Sequence, residues 1–343
     1  MDVLLPRRAA FELSSRIQFE QDARMHTLYP PLEPYKTHTL KRDGHLIHVE
    51  ECGHADGIPI LFLHGGPGSG CKPHHRCFFD PDYYRIILLD QRGSGRSSPP
   101  GRLAHNRTDD LIGDLEALRD ELGIDHWALF GGSWGATLAL LYAQAFPQRV
   151  LGLILRGTFL ARQEDLDWFI ASGGVRRIYP EAWEQLVRSL PEIEREQPLP
   201  CLYTKLTGSD ELACRRAARA WEHWGGQVTL GGDFDPHALG DHVTAQTVNQ
   251  ARIELHYAVN GYFLAENQIL EACDRITSIP LQIIHGRRDL VCPVESAFTL
   301  HQRLPGSTLK VLPNAGHIAS GEEMIDALVE ATMNLTRILG SRV

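Results

Sequence analysis

The 343-residue chain has little of what would mark it for a membrane, a disulfide framework, a zinc site or a nucleic acid. No apolar run reaches the ~20 residues that a membrane-spanning helix needs. The opening stretch, "MDVLLPRRAAFELSSRIQFEQDARMHTLYPP", mixes charges throughout and holds no apolar core of signal-peptide length. Neither secretion nor a membrane contact is therefore expected. The seven cysteines (Cys52, Cys71, Cys77, Cys201, Cys214, Cys273 and Cys292) are odd in number and scattered, with no C-x-x-C pair. A reduced, cytoplasmic setting suits that pattern better than a disulfide framework. Among 17 histidines there is no H-E-x-x-H, so zinc hydrolysis has no support and no metal is expected. The formal net charge of −9, with no basic run, argues against a nucleic-acid partner.

What is present reads as an ordinary globular enzyme, with 43% hydrophobic and 22% charged residues. The length exceeds one compact core and suggests a large domain with an insertion, or two domains. Residues 36–52 alternate around Asp43-Gly44 and predict a β-hairpin at a sheet edge. Short apolar runs follow at 58–66, 85–93, 126–132, 150–157, 281–289 and 308–317. They are too short for most helices and lack strict alternation, as expected for parallel strands covered on both faces. Helical stretches such as "TDDLIGDLEALRDEL" (108–122) separate several of them, which predicts an α/β class with a mostly parallel sheet flanked by helices. Between 158 and 272 the rhythm stops and aromatic-rich, helical segments take over. The expected organisation is an N-terminal extension over 1–26, an α/β core over 27–157 and 273–343, and a helical cap over 158–272.

In "ALFGGSWGATLALLYAQAFP", Ser133 sits between glycines, after an apolar strand and before a helix free of glycine and proline. This is the strand–turn–helix setting that turns G-x-S-x-G from a chance pattern into a nucleophile elbow. A structural turn serine is the plain alternative. Ser133 needs a base and a carboxylate to become a nucleophile. "IIHGRRD" places Asp289 just past one late strand and "KVLPNAGH" places His317 just past the next, at the carboxyl edge of the sheet. The order Ser133, Asp289, His317 is that of α/β-hydrolases. His285, at a strand end, and His301, in a helical stretch, read as structural. "LHGGPGSG" (63–70) matches a loop that donates one oxyanion-hole amide, the other coming from the residue after the nucleophile; these are Gly66 and Trp134. A phosphate cradle is the rival, but no Gly-Lys-Ser/Thr follows to complete it.

With these motifs in place, "LYPPLEPY", "HGGPGSG", "DQRGSGRS" (90–97), "GGSWG", "LRGTF", "ARIELHY" and "HGRRDLVCP" together resemble the proline iminopeptidases, prolyl aminopeptidases of the α/β-hydrolase serine peptidases. The resemblance runs from about residue 27 to the C-terminus. It implies an α/β-hydrolase core, a helical cap, no cofactor, and release of N-terminal proline from short peptides. It also implies that Glu254, in "RIELHY", grips the substrate's terminal amine and that Phe159, in "RGTF", lines the pocket for the pyrrolidine ring. Cap core is the ordinary role of such an aromatic, and a salt-bridged helix position that of such a glutamate. One position departs from the family: "WEHWGG" carries Gly225 where a second amine-binding glutamate belongs. Glu222, three positions earlier, is the candidate to compensate. Cys292 matches "DLVCP" and is expected near the triad without being a nucleophile. The runner-up is a related serine amidase or esterase with altered amine recognition, acting on a small amide. A non-catalytic relative predicts damage to the triad or the oxyanion loop, and both are intact. Epoxide hydrolases and dehalogenases need a carboxylate at position 133. A homo-oligomer stays open.

Overall fold

The computed structural model describes residues 25–188, 190–240 and 242–340, so the expected N-terminal extension lies outside the described residues except for Met25 and His26. The strands are β1 (Lys36–Arg42), β2 (His45–Gly53), β3 (Ile58–Leu63), β4 (Tyr84–Leu89), β5 (Trp127–Gly132), β6 (Val150–Arg156), β7 (Leu281–Gly286) and β8 (Thr308–Leu312). They form one sheet in the order β1-β2-β4-β3-β5-β6-β7-β8. From β4 to β8 all neighbours are parallel; β1 and β2 are antiparallel and close one edge. The edge hairpin turns at Asp43 (φ 48°) and Gly44 (φ 79°), and two consecutive positive φ angles are what a type I′ turn demands.

The core helices are α1 (Thr108–Glu121), α2 (Trp134–Ala145), α9 (Val294–Arg303) and α10 (Glu322–Gly340). Leu111, Leu115 and Leu118 of α1, four or three residues apart, bury against one face of the sheet together with α2. Met324, Leu328 and Leu335 of α10 bury against the other, beside Phe78 and Phe79. Two apolar clusters on opposite faces explain why strands such as β5, buried at every position, read as unbroken apolar runs.

Between β6 and β7 the chain leaves the sheet for helices α3 (Gln163–Ile170), α4 (Pro180–Arg188), α5 (Pro198–Thr207), α6 (Glu211–Leu230), α7 (Ala245–Val259) and the short α8 (Gln268–Glu271). The longest, α6, starts where the Asp210 carboxylate accepts the Ala213 amide and ends at Gly231 (φ 60°). Thr244 caps α7 in the same way, its hydroxyl accepting the Thr247 amide at 3.0 Å. Trp183, Trp224, Leu202, Leu206, Ala218 and Leu255 give this layer a core of its own. No helix among the described residues is long and apolar enough to cross a membrane.

Candidate active site

β4 lies on one side of β3 and β5 on the other, so the loops leaving β3 and β5 diverge and open a crevice at the carboxyl edge. Ser133 stands in that crevice with φ 56° and ψ −122°, a conformation that costs a residue with a Cβ roughly 1–3 kcal/mol. The surrounding backbone holds it there. Its N–H donates to the Arg156 carbonyl at 2.9 Å, and its own carbonyl accepts the Ala136 amide of α2 at 2.8 Å. Any Cβ on Gly135 would collide with the Leu63 carbonyl, so the glycine lets α2 approach β3. A Cβ on Gly65 would stand 3.3 Å from the Cβ of Ser133, which leaves the β3 loop in contact with the nucleophile.

Asp289 follows β7 and His317 follows β8, as expected. The ring Nδ1–H of His317 donates to Asp289 Oδ2 at 2.7 Å, which leaves Nε2 as the basic nitrogen. The amides of Val291 and Cys292 donate to the other oxygen, Oδ1, at 3.0 and 2.9 Å. Burial works to raise the Asp289 pKa, but the His317 charge and hydrogen bond, with His285 and the Cys292 amide, outweigh it and hold the pKa below the ordinary range. His285 is fully buried, accepting from the Thr158 amide at 3.2 Å and donating to the Cys292 carbonyl at 2.8 Å, with its Nε2 3.5 Å from Asp289 Oδ2. Among the described residues no hydrogen bond joins Ser133 Oγ to His317, and the serine hydroxyl lies beside the Cys292 thiol, which burial keeps protonated. Catalytic hydrogen bonds are commonly loose until a substrate closes them.

Ser133, Gly66, Phe159, Trp221, Glu254 and Tyr262 face a cavity of about 90 Å³ under the cap. Neither the Gly66 amide in its wall nor the Trp134 amide at the start of α2 donates to another group among the described residues. Phe159 packs edge-on to Tyr262 with ring centroids 4.9 Å apart. Glu254, on α7, accepts the Trp221 indole N–H at 2.6 Å and the Gln250 amide at 2.9 Å, and pairs with no cation among the described residues. Burial raises its pKa, the two neutral donors offset this only in part, and the Glu222 charge adds to it.

Glu222 lines a different cavity, of about 320 Å³, together with Gly225, Thr247 and Gln250. One helical step beyond Trp221 rotates it about 100°, so its carboxylate meets the Thr247 hydroxyl at 3.3 Å and does not face Ser133. The two cavities share Trp221 and Glu254 as a wall. His317 opens onto a third space, a groove of about 300 Å³ between cap residues Thr229 and Leu230 and the loop after β8.

Several contributors escape the sequence reading. Asp165 also lines the Ser133 cavity, already neutralised by Arg162 at 2.7 Å. Arg156 is half-buried, desolvation of its guanidinium lowers its pKa, and the guanidinium donates to the His317 carbonyl at 2.5 Å. Tyr262, with φ 54°, comes from the turn after α7. None of these has a local pattern, because each is defined by what the cap brings to it; only Arg156, in "LRGTF", falls inside a segment already singled out.

The profile of the α/β hydrolase fold matches residues 58–323. Proline iminopeptidase of Xylella fastidiosa (strain 9a5c) is 45% identical over 313 residues, 90% of this chain and 99% of that one. The Arabidopsis thaliana proline iminopeptidase is 43% identical over 317 residues, covering 92% and 83%. Among solved structures, the esterase RhEst1 from Rhodococcus sp. ECU1013 superposes with a TM-score of 0.57 at 19% identity, covering 89% of this chain and 99% of that one. A proline iminopeptidase-related protein from Thermus thermophilus gives 0.55 at 22%, covering 89% and 98%.

Proposed function

The chain belongs to the α/β-hydrolase family and to the proline iminopeptidases within it, and from that premise we propose that it releases N-terminal proline from short peptides through an acyl-enzyme on Ser133. Ser133 Oγ attacks the prolyl carbonyl while His317 Nε2 takes its proton, and Asp289 stabilises the imidazolium that forms. The Gly66 and Trp134 amides receive the oxyanion. His317 then returns the proton to the leaving amine, so the departing peptide runs along the groove on which His317 opens. Water repeats the cycle on the ester and frees proline.

The observation that carries this reading is Glu254: a half-buried carboxylate whose desolvation raises its pKa, paired with no cation among the described residues, in the wall of the cavity that holds Ser133. A buried charge wants a partner, and the ammonium of an N-terminal proline supplies one. The space, about 90 Å³, suits a small ring against Phe159 and Tyr262. The seven unpaired cysteines support a cytoplasmic location. A serine amidase or esterase with altered amine recognition is the second reading, favoured by Gly225, whose side facing the neighbouring cavity meets no atom within 4 Å.

A panel of chromogenic amides, free and N-acylated, with Pro, Ala and larger residues at the first position, separates the two. The expected order is free Pro above free Ala, and both above any N-blocked form. Preference for blocked substrates refutes the aminopeptidase and leaves the serine hydrolase.

A further inference from the structure

The segment "DQRGSGRS" contributes no group to the reaction as described, yet it begins at the end of β4, next to β3 and one strand removed from β5, the two strands that carry the oxyanion donors. Gln91 is 2% exposed and is hydrogen-bonded to both of those loops. Its side-chain Nε2–H donates to the His64 carbonyl at 2.8 Å, in the β3 loop that leads to Gly66. Its Oε1 accepts the Trp134 indole N–H at 3.0 Å, from the residue after the nucleophile. An indole nitrogen only donates, which fixes the orientation of the Gln91 amide. The Gln91 backbone N–H donates to His64 Nε2 at 3.0 Å, so His64 Nδ1 carries the ring proton and gives it to the Gly65 carbonyl at 2.9 Å. Trp134 is also confined by tilted ring contacts with Tyr257 and Tyr262, at centroid distances of 5.0 and 5.6 Å.

We propose that Gln91 is a positioning residue for the oxyanion hole: it ties the β3 loop to the first residue of α2 and so sets the separation of the Gly66 and Trp134 amides. This rests on the acyl-enzyme reading above. The two donors sit on the loops of adjacent strands, which touch through apolar and backbone contacts at Gly65–Ser133 and Gly135–Leu63; Gln91 adds a polar tie between them from β4. Strands lie about 4.8 Å apart, so a link from β4 to β5 must cross roughly 10 Å. The Gln91 side chain and the Trp134 indole, joined end to end, make that crossing. A hydrophobic residue at 91 would leave the His64 carbonyl and the indole N–H buried without partners, free to drag both loops out of register.

The test uses Gln91→Met, which keeps the length and removes both amide bonds, and Trp134→Phe, which keeps the ring packing and removes the indole donor. Turnover of prolyl chromogenic amide and of a p-nitrophenyl ester is measured with the affinities for a prolyl boronic acid and for free proline. The boronic acid forms a tetrahedral adduct that needs the oxyanion donors; free proline occupies the ground-state pocket. Gln91→Met is expected to lower kcat by about ten- to hundredfold, below the ~10²–10³ of losing a donor outright. Boronate affinity should fall in parallel, with KM and proline affinity within about twofold. Trp134→Phe should lose less, and the double variant should match Gln91→Met, since both cut one chain. Unchanged kcat, or parallel loss of proline and boronate affinity, overturns the proposal. If Gln91→Met does not fold, Trp134→Phe and Gln91→Glu, which keeps the indole acceptor and loses the donor to His64, decide it on the same readouts. Failure of the aminopeptidase reading shows separately, as wild-type enzyme that turns over the ester and not the prolyl amide, and the ester then reads the brace.

Discussion

Asp289 in the sheet layer, buried, and Glu254 in the cap, half-buried, are both desolvated carboxylates near the reactive serine, and their surroundings push them in opposite directions. Asp289 receives an imidazole N–H and two backbone amides, and its pKa is lowered in spite of burial. Glu254 receives one indole and one carboxamide, both neutral, and burial raises its pKa. The first is satisfied before any substrate arrives. The second is left with charge to spare, which is what a site for a cationic amine requires. On the proposed function, catalysis and recognition differ in where the compensating charge comes from: the protein itself for Asp289, the substrate for Glu254.

The comparison breaks most visibly at the catalytic group. Ser133→Ala and His317→Ala should each cut turnover by about 10⁴-fold or more on every substrate, free or blocked, and Ser133→Ala should abolish labelling by a fluorophosphonate. Asp289→Asn should cost a similar factor, because an amide no longer holds Nδ1 as the protonated nitrogen. Wild-type-like rates from any of these would remove that residue from the mechanism.

Glu254→Gln should act on one class only. Removing a charged partner in a desolvated pocket costs roughly 2–5 kcal/mol, well over tenfold in kcat/KM for free-amine substrates. Esters and N-acylated amides carry no ammonium and should change less than about twofold. The pH profile sharpens this. As pH falls through the raised Glu254 pKa, the carboxyl protonates and releases the ammonium, so free-amine substrates should show, beside the acid limb that protonation of the base gives every substrate, a further acid-side loss that esters lack and that Glu254→Gln removes. Stability should follow opposite signs. The folded state binds the Glu254 proton more tightly than the unfolded chain, so the stability this gives is fully present below the unfolded pKa and is lost as pH rises through the raised folded one. The depressed pKa of Asp289 gives stability that is present above the unfolded value and lost as pH falls through the folded one. At pH 8, Asp289→Asn should therefore lower the melting temperature and Glu254→Gln should not.

The same contrast governs what could be read from the chain. The sheet layer was legible because its signals are local: the strands, the hairpin at Asp43-Gly44, the glycines about Ser133, and the residues just past β7 and β8 each depend on a few neighbours in sequence. Glu254 and Phe159 were reached through the family resemblance, and both line the cavity with Ser133. Asp165 and Tyr262 carried no signal, since a carboxylate neutralised by a neighbour or a tyrosine in a turn acquires its role only from packing; Arg156 lay inside "LRGTF" without its own role being visible. Glu222 shows what helical spacing leaves open. Helical spacing puts it on the same helix as Trp221, but which cavity it enters depends on where α7 lies, and α7 takes Glu222 to Thr247.

The smallest effects belong to the neighbouring cavity. Glu222→Gln should change kcat/KM on free prolyl amide by less than about twofold, because its carboxylate faces Thr247 and reaches Glu254 only as a like charge that raises its pKa. A tenfold loss would instead put Glu222 at the substrate amine. Gly225 occupies the interior of α6 with ordinary helical freedom and open space beyond it. Gly225→Ala should stabilise the protein by about 0.5–1 kcal/mol through the backbone entropy of the unfolded chain, with activity unchanged. Gly225→Glu adds to that gain a carboxylate on the side of α6 that shares a cavity with Glu254. If it reaches the amine, it strengthens free-amine selectivity and lowers KM for prolyl amides; if it stays with Glu222, it only raises the Glu254 pKa further and moves the acid limb upward. The direction of that limb, read beside KM, tells which side of the Trp221–Glu254 wall the new charge has joined.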